Sequence, residues 1–262
     1  SAISSIDDDT MQPALLGELD INPETAIAMQ NGIVDLASGE FVPPSPRFFS
    51  SSCNPFEYDK KAPLPSLWLN FLQQVWGEDK ETIFTLQEIF GYLLTSDTSM
   101  QKAFMLIGPK RSGKGTIARV LGELVGHDAL CSPTLASLST NFGMQPLIGT
   151  KVALVADARI SGKADSAVIA ERLLSITGED SFTIDRKMLT AWRGKLNSRF
   201  VIMSNILPKF VDASGALPSR LVILKMTESF YGKEDSKLFD KLKGEMPGIF
   251  NWAMAGLQRL RK

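Results

Sequence analysis

The chain has 262 residues, of which 44% are hydrophobic, and a formal net charge of −1. This length and composition suffice for one large domain or two modest ones with a buried core. A near-neutral charge excludes a global attraction to nucleic acid, so any such contact must come from a local basic patch. Two cysteines and one histidine argue against a structural zinc site or a disulfide framework. This composition fits a reducing cytoplasm.

Targeting signals are not visible in the sequence. It contains no apolar run of the ~18 residues that a membrane-spanning helix needs, and no charged-then-apolar leader. It begins at Ser1 rather than Met, so we expect a part excised from something longer. We therefore predict a cytoplasmic protein without a membrane partner.

The first hundred residues predict a small domain of mixed type. Residues 1–20 are acidic and are predicted to be a mobile start. The alternation around Asn31-Gly32 predicts a β-hairpin closed by a two-residue type I′ turn. Prolines then mark an irregular connector, and apolar spacing predicts two helices. The connector and the two helices are predicted at 42–65, about 66–76 and about 79–95.

From residue 99 onward, apolar strands alternate with helices, which predicts a parallel sheet with helical crossovers. We place the domain boundary near residue 98, between a small α+β or helical domain (1–98) and an α/β domain (99–262). The predicted strands are 103–108, 151–156, 199–204 and 221–226. The predicted helices are 114–125, 165–176 and 246–260.

A glycine-rich motif follows the first of these strands. Gly108, Gly113 and Lys114 satisfy the pattern G-x-x-x-x-G-K between an apolar strand and a helix. The glycines let backbone N–H groups surround an anion, the helix N-terminus adds positive charge, and Lys114 can contact the β- and γ-phosphates. We therefore predict that the chain binds a nucleoside triphosphate, ATP. The predicted binding residues are Gly108, Pro109, Lys110, Arg111, Ser112, Gly113, Lys114, Gly115 and Thr116.

The motif departs from the usual pattern at the Mg²⁺ ligand. Gly115 stands directly after the lysine, where Ser or Thr is expected to bind the metal. A hydroxyl follows one position later, at Thr116. Either Thr116 reaches Mg²⁺ in a shifted way or water fills that role, and we favour Thr116.

The strand predicted at 151–156 ends in a carboxylate, Asp157. In phosphate-loop NTPases an acid after such a strand holds Mg²⁺, often through water, and helps to orient the attacking water. Ala158 follows, so the second acid that many of these ATPases carry is missing. The sequence therefore leaves the identity of the general base open. The candidates are Asp157 itself and other acids such as Glu179 or Asp180.

Two further polar residues flank the remaining strands. Asn205 ends the strand before Pro208, and its amide can bond the γ-phosphate or its water, or simply begin a loop. Arg220 opens the last core strand. It can reach a neighbouring subunit's ATP and stabilise the charge that develops during hydrolysis, or it is an ordinary surface arginine.

Between these strands lies a basic segment. From Asp185 to Arg199 it carries five basic residues against one acid. Such a hairpin can grip phosphates and stack a base, as a single-strand binding surface does; the alternative is a solvated hairpin with one packed tryptophan. The candidate DNA-binding residues are Arg186, Lys187, Trp192, Arg193 and Lys195.

Taken in order, these elements resemble superfamily 3 helicases. The likeness is to the AAA+ helicase part of phage and plasmid primase–helicases related to the poxvirus replicative one, and it covers about residues 25–230. It includes the stretches 31–36, 56–59 and 86–94, which are similar to the small domain that precedes the helicase core in such proteins.

The resemblance implies a P-loop AAA+ core and assigns roles to the candidate residues. Lys114 would contact the phosphates, Thr116 and Asp157 the Mg²⁺, and Asn205 the γ-phosphate, with Arg220 acting in trans. It also implies a ring of identical subunits, usually a hexamer, which hydrolyses ATP to move along single-stranded DNA. Such proteins often carry a primase module in the same chain and work in the bacterial host of a phage or plasmid.

Two other functions stay open at this stage. The sequence Gly-Lys-Gly-Thr also occurs in phosphate-loop nucleotide kinases, although no arginine-rich lid for a second nucleotide is evident here. The single acid at Asp157 also suits a ring-forming scaffold or loader that binds ATP and scarcely hydrolyses it. The basic end of the chain, within 232–262, indicates either a helical cap or a contact with a neighbour.

Overall fold

The computed structural model describes residues 14–15, 21–22, 25–50, 52–158 and 165–262. The strands are β1 (Ala14–Leu15), β2 (Ala26–Met29), β3 (Gly32–Asp35), β4 (Phe41–Val42), β5 (Phe48–Phe49), β6 (Ala103–Ile107), β7 (Leu130–Cys131), β8 (Val152–Val155), β9 (Ser181–Arg186), β10 (Leu189–Lys195), β11 (Arg199–Ser204) and β12 (Leu221–Lys225). The α-helices are α1 (Ser66–Trp76), α2 (Lys80–Leu94), α3 (Lys114–Val125), α4 (Ser166–Thr177), α5 (Leu217–Arg220), α6 (Leu238–Lys243) and α7 (Met246–Leu260).

Contacts group the chain into two compact units. The first comprises the described residues up to Ser96 together with Thr116–Ala129 and Lys233–Lys262. The second comprises Asp97–Gly115 and Leu130–Gly232. The domain boundary near residue 98 stays a prediction, and the grouping adds two later segments to the first unit. The predicted acidic start, 1–20, lies outside the described residues except for 14–15.

Helices dominate the first unit, and polar caps fix their starts. Asp79 caps α2, because its carboxylate accepts from the Thr82 N–H at 3.0 Å. The N–H groups of Leu67 and Trp68 at the start of α1 donate to Glu245 at 3.0 and 2.9 Å. A carboxylate at this position also complements the positive end of the helix dipole.

Helices α2 and α7 approach each other closely through glycine. A Cβ added at Gly91 would lie 2.4 Å from the Ala253 carbonyl oxygen, and one at Gly256 would lie 2.3 Å from the Gln87 carbonyl oxygen. Any larger residue at either position would force the two helices apart. The C-terminal segment is therefore a packed helix of the first unit.

The predicted hairpin is present as β2 and β3, but its turn is not the predicted one. Met29 pairs with Gly32, so the loop residues are Gln30 and Asn31, and Gly32 belongs to β3. Neither loop residue has a positive φ, so a type I′ turn at Asn31-Gly32 is wrong. The reason is a tertiary contact: the Asn31 amide donates to the Tyr58 carbonyl and accepts from the Tyr58 N–H, both at 2.9 Å.

The second unit contains a five-stranded parallel sheet of order β12-β6-β11-β8-β7. Helices flank it, which gives the expected α/β class with a parallel sheet. The strands and helices predicted from residue 99 onward are confirmed, with ends shifted by at most one residue. All six residues of β11 are buried, as expected for the central strand of a covered sheet. Because all strands run the same way, their carboxyl ends form one edge of the sheet and their amino ends the other.

Candidate functional site

The glycine-rich loop joins β6 to α3 at the carboxyl edge of the sheet. Its backbone takes a left-handed conformation at Arg111, with φ 60°, and at Gly113, with φ 96°; the second value favours glycine strongly. A Cβ at Gly108 would lie 2.6 Å from the Met226 carbonyl oxygen, so only glycine fits against the end of β12. Two of the three motif residues, Gly108 and Gly113, are therefore required by the backbone of this loop.

The segment after β12 forms hydrogen bonds with the glycine-rich loop. The Ser229 hydroxyl donates to the Lys110 carbonyl at 2.9 Å, and the Phe230 N–H donates to the Arg111 carbonyl at 2.8 Å. Hydrogen bonds at two successive loop carbonyls hold the backbone in one conformation. A preformed loop binds an anion at a lower entropic cost than a mobile one.

Lys114 is the first residue of α3, and its ammonium group lies over the loop. Its Nζ donates to the Gly108 and Pro109 carbonyls, each at 2.7 Å, and to the Ser112 hydroxyl at 3.1 Å. Partial burial lowers the pKa of this lysine, because removal from water disfavours the charged form. Phosphate oxygens that replaced these neutral acceptors would compensate the ammonium charge far better.

The carboxyl edge brings Asp157 and Asn205 close to this loop. The Gly108 N–H donates to the Ser204 carbonyl at 3.2 Å, and the Ala158 N–H donates to the Met203 carbonyl at 2.9 Å. Strand β11 lies between β6 and β8, so Asn205 stands between the loop and Asp157. The loop, the Asn205 amide and the Asp157 carboxylate thus follow one another along one edge of the sheet.

The candidate metal ligands are few. Asp157 is exposed at the carboxyl edge, and Thr116 lies in the first turn of α3 and is half-buried. Among the described residues no group of three or more His, Cys, Asp or Glu side chains is placed to hold a metal ion. A single carboxylate and a hydroxyl suit Mg²⁺, which keeps several waters and binds substrate phosphates.

Arg220 lies at the opposite edge of the sheet. It is the last residue of α5 and directly precedes β12, which begins at Leu221 as predicted. Its guanidinium donates to the Gln101 side-chain oxygen. In the register of the sheet, Leu221 pairs with Ala103 and Lys225 pairs with Ile107. Arg220 is therefore separated from the glycine-rich loop by the length of the strand β6.

Glu179, one of the acids considered as general base, also lies at the amino edge. It accepts a hydrogen bond from the Thr98 hydroxyl, and residue 98 precedes β6. Asp180 directly follows it. Within one chain, Asp157 is thus the only one of the three candidate acids at the same edge as Lys114.

The basic segment forms the hairpin β9–β10, as predicted. Arg193 pairs with Thr183 and Lys195 with Ser181, so both basic residues point to the exposed face of the hairpin. At the tip, Lys187 is exposed and Met188 has φ 59°. The Arg186 Nε donates to the Thr190 carbonyl at 2.8 Å, which fixes the tip. Arg193 and Lys195 therefore form the basic face of this hairpin, with Lys187 at its tip, whereas the half-buried Arg186 follows Phe182 and Ile184 on the other side of β9.

The structure corrects the prediction for Trp192. Its ring is only 8% exposed and packs in the core with Phe182 and Ile184, on the face opposite Arg193 and Lys195. A Cβ at Gly194 would lie 2.7 Å from the Trp192 ring, so glycine is needed beside it. A buried ring has no free face on which a base could stack, and Trp192 is a core residue of the hairpin.

Two polar residues at these sites were not among the candidates. Gln101 holds the Arg220 guanidinium, and Gln145 accepts from the Lys187 N–H at 3.2 Å at the hairpin tip. Gln101 precedes Lys102 and the apolar strand β6. These polar residues just before an apolar strand are the feature of the sequence from which Gln101 could have been identified. Gln145 could not be found in the sequence, because it lies 42 residues from its partner.

Comparison with known proteins gives two family matches and a set of similar structures. Residues 106–220 match a family of unknown function (DUF5906), and residues 3–77 match a family described as D5 N terminal like. An apo structure of the NrS-1 C-terminal region is 15% identical with a TM-score of 0.61, covering 77% of this chain and 49% of that one. An A-form apo structure of the same region is 17% identical with a TM-score of 0.59, covering 76% and 47%.

These identities show a shared fold alone, and the chain spans about half the length of those structures. No helix in the described ranges combines the length and apolar character needed to cross a bilayer.

Proposed function

We propose that this chain is the ATP-driven DNA helicase part of a phage, plasmid or other mobile-element replication protein, a ring-forming motor of superfamily 3. The observation that carries the proposal is the order along one sheet edge of Lys114 on its loop, Asn205 and Asp157, with Arg220 at the other edge. The match of residues 3–77 to the D5 N terminal like family and the fold shared with the NrS-1 C-terminal region support it.

Lys114 provides the charge at the β- and γ-phosphates. Three neutral oxygens hold its ammonium over the loop in advance, so binding a triphosphate requires little rearrangement. The Asn205 side-chain amide forms a hydrogen bond with the γ-phosphate or with the attacking water. Thr116 and Asp157 would hold Mg²⁺, which would supply charge neutralisation at the phosphates. Asp157 is the acid closest in register to orient the attacking water.

Arg220 completes the site in trans. Because it stands at the amino edge, it serves the triphosphate of a neighbouring copy, where it stabilises charge on the transferred phosphoryl group. A head-to-tail contact of this kind repeats from copy to copy and closes into a ring. We propose a homo-oligomeric ring, a hexamer by resemblance, with ATP at each contact between subunits.

The hairpin β9–β10 binds single-stranded DNA in this proposal. Arg186, Lys187, Arg193 and Lys195 neutralise backbone phosphates, and movement of the hairpin with ATP hydrolysis moves the strand. Trp192 supports the hairpin from within. A primase module in the full-length protein and work in the cytoplasm of a bacterial host belong to the same proposal.

The test is ATP hydrolysis measured with and without single-stranded DNA. We expect turnover that DNA stimulates, and we expect Lys114→Ala to abolish turnover while circular dichroism stays unchanged. Lys60→Ala, which removes an exposed lysine of the other compact unit, is the matched control. Normal turnover in Lys114→Ala would refute the site. ATP binding without turnover would favour the scaffold, and phosphate transfer to an added nucleotide would favour a kinase.

A further inference from the structure

Tyr231 lies on the segment that follows β12, and its side chain is 81% exposed. No other aromatic side chain in the described part of the chain is exposed to this extent. Phe230, directly before it, is half-buried and anchors the segment. An exposed tyrosine ring offers a planar ligand a face on which to stack, and the stiff side chain loses little entropy when the ligand binds.

The segment that carries Tyr231 runs beside the glycine-rich loop. The Met226 N–H donates to the Ile107 carbonyl at 2.7 Å, where β6 ends and the loop begins. Four residues later in both stretches, the Phe230 N–H donates to the Arg111 carbonyl at 2.8 Å. The two stretches therefore advance together in the same direction. Tyr231 is the next residue of this segment, so its backbone is held against the loop.

The position of β12 indicates which end of a nucleotide this segment faces. Strand β6, which leads into the loop, has β12 on one side and β11 on the other. In the proposed function the γ-phosphate lies on the β11 side, where Asn205 and Asp157 follow their strands. A triphosphate is a linear chain, so its nucleoside end leaves the loop on the opposite side. That is the side of β12 and Tyr231.

We propose that Tyr231 stacks on the base of the bound nucleotide. This inference rests on the proposed function and deepens it, since it names the residue that contacts the nucleoside. Stacking uses the face of a base rather than its edge. Tyr231 therefore favours purines, which have the larger faces, over pyrimidines, and it does not distinguish adenine from guanine.

The test compares the affinity for ATP with the affinity for inorganic triphosphate, each measured with Mg²⁺ by isothermal titration calorimetry. Inorganic triphosphate can occupy the glycine-rich loop but has no base. Tyr231→Ala should bind ATP about tenfold more weakly than the wild type, as expected for the loss of one stacked base. It should bind inorganic triphosphate as the wild type does. Tyr231→Phe retains the ring and should bind ATP with wild-type affinity.

Two controls accompany these variants. Phe142→Ala removes a 50% exposed aromatic ring elsewhere in the same compact unit and should leave the affinity for ATP unchanged. Circular dichroism checks the fold of each variant. In Tyr231→Ala, the affinity for GTP should fall by the same factor as that for ATP, and the affinity for CTP by a smaller factor.

The outcomes separate this inference from the function itself. Unchanged ATP affinity in Tyr231→Ala, an equal loss for ATP and inorganic triphosphate, or a Tyr231→Phe variant as weak as Tyr231→Ala would overturn the stacking role and leave the nucleotide site standing. Lost affinity for a single-stranded oligonucleotide with unchanged ATP affinity would make Tyr231 a DNA contact instead. A wild-type chain that binds neither ATP nor inorganic triphosphate would refute the proposed function, and this inference with it.

Discussion

Lys114 and Arg220 lie at opposite edges of the same five-stranded parallel sheet. Strand β6 runs directly from the Arg220 side to the loop of Lys114, and its five residues pair in register with those of β12. At a rise of ~3.3 Å per residue, the strand alone separates the two edges by about 13 Å, which is more than an extended arginine side chain spans. In the proposed function, each chain would therefore contribute half of a phosphoryl-transfer site at each edge.

This separation predicts that Arg220→Ala is inactive alone and is rescued in a mixture. The variant should bind a fluorescent ATP analogue as the wild type does, because its own loop is intact, but lose turnover by about 10³-fold or more. Mixing it with Lys114→Ala, which retains Arg220, should restore turnover at up to about a quarter of the contacts between copies, because the loop of one variant then meets the arginine of the other.

Arg47→Ala, at an exposed arginine of the other compact unit, is the control and should retain wild-type turnover. Gln101→Ala removes the side chain that holds Arg220 and should give a smaller loss of turnover. A mixture of Arg220→Ala and Lys114→Ala that stays inactive would contradict a role in trans.

The basic residues at the tip of the hairpin predict salt-dependent DNA binding. Changing Arg186 and Lys187 to Ala should weaken binding of a single-stranded oligonucleotide and reduce the slope of log K against log salt by about 1.4, at ~0.7 for each DNA phosphate that is no longer neutralised. Fluorescence anisotropy at several salt concentrations measures both quantities. The double variant of Lys60 and Lys61 to Ala, an exposed basic pair outside the hairpin, should leave the slope unchanged. Equal slopes for the wild type and the two double variants would show that this hairpin does not bind DNA.

Burial of Trp192 predicts a stability effect rather than a binding effect. Trp192→Ala should lower the free energy of unfolding by about 3 kcal/mol, because it leaves a cavity among Phe182 and Ile184. Trp192→Phe retains most of the apolar packing and should bind single-stranded DNA with wild-type affinity. Urea denaturation and anisotropy measure the two effects separately. A large loss of DNA affinity in a stable Trp192→Phe variant would restore the stacking role.

The contrast between Trp192 and the sheet shows what the sequence can predict. Strands such as β11 are continuous apolar runs that must be buried on both faces, so their limits are visible without a structure. The side of the hairpin that holds Trp192 depends instead on the pairing of β9 with β10. A register shift between Leu189 and Trp192 gives β10 one extra residue. Every side chain of β10 beyond the shift therefore points to the opposite face of the hairpin.

The same limit applies to the candidate site. The motif residues of the loop and the strand-end residues Asp157 and Asn205 could be predicted, because parallel strands place their carboxyl ends together. The Asn31 turn and the Gln145 hydrogen bond could not, because each depends on a partner at least 27 residues away. Two hydrogen bonds with Tyr58 outweigh the local preference for a type I′ turn.

Lys151 predicts an unusual dependence of stability on pH. Burial, and secondarily the positive charge of Arg199, lowers its pKa from 10.5 to about 8. Between these two values the unfolded chain holds the proton and the native chain has released it, so this group makes stability rise with pH. Lys151→Met should lose this rise. At pH 7 we expect its free energy of unfolding to exceed that of the wild type by about 1 kcal/mol. This is less than the full pKa shift implies, because the Lys151 side chain keeps some contact with water.

Urea denaturation from pH 7 to 10 on the wild type, Lys151→Met and the exposed control Lys60→Met measures this effect as a difference. The Lys60 variant should follow the wild type throughout. Parallel curves for the wild type and Lys151→Met would show that Lys151 keeps an ordinary pKa.

Gly115 predicts a gain of function at the metal. A Cβ there would meet no atom within 4 Å, and its φ is not positive, so a serine fits without strain. Gly115→Ser places a hydroxyl directly after Lys114, where a Mg²⁺ ligand is expected, and removes the entropic cost of glycine in a helix, about 0.5 kcal/mol. We expect the Mg²⁺ concentration for half-maximal nucleotide binding to fall about threefold, or about 0.7 kcal/mol.

Gly115→Ala is the matched control, because it shares the helix effect and lacks the hydroxyl. Thr116→Ala should weaken Mg²⁺ dependence strongly in the wild-type background and less in Gly115→Ser, since one hydroxyl then substitutes for the other. Titration of Mg²⁺ against a fluorescent ATP analogue measures all five proteins, the wild type, the three single variants and the double variant. If Gly115→Ser and Gly115→Ala respond alike, the hydroxyl does not reach the metal, and water takes that place in the coordination shell.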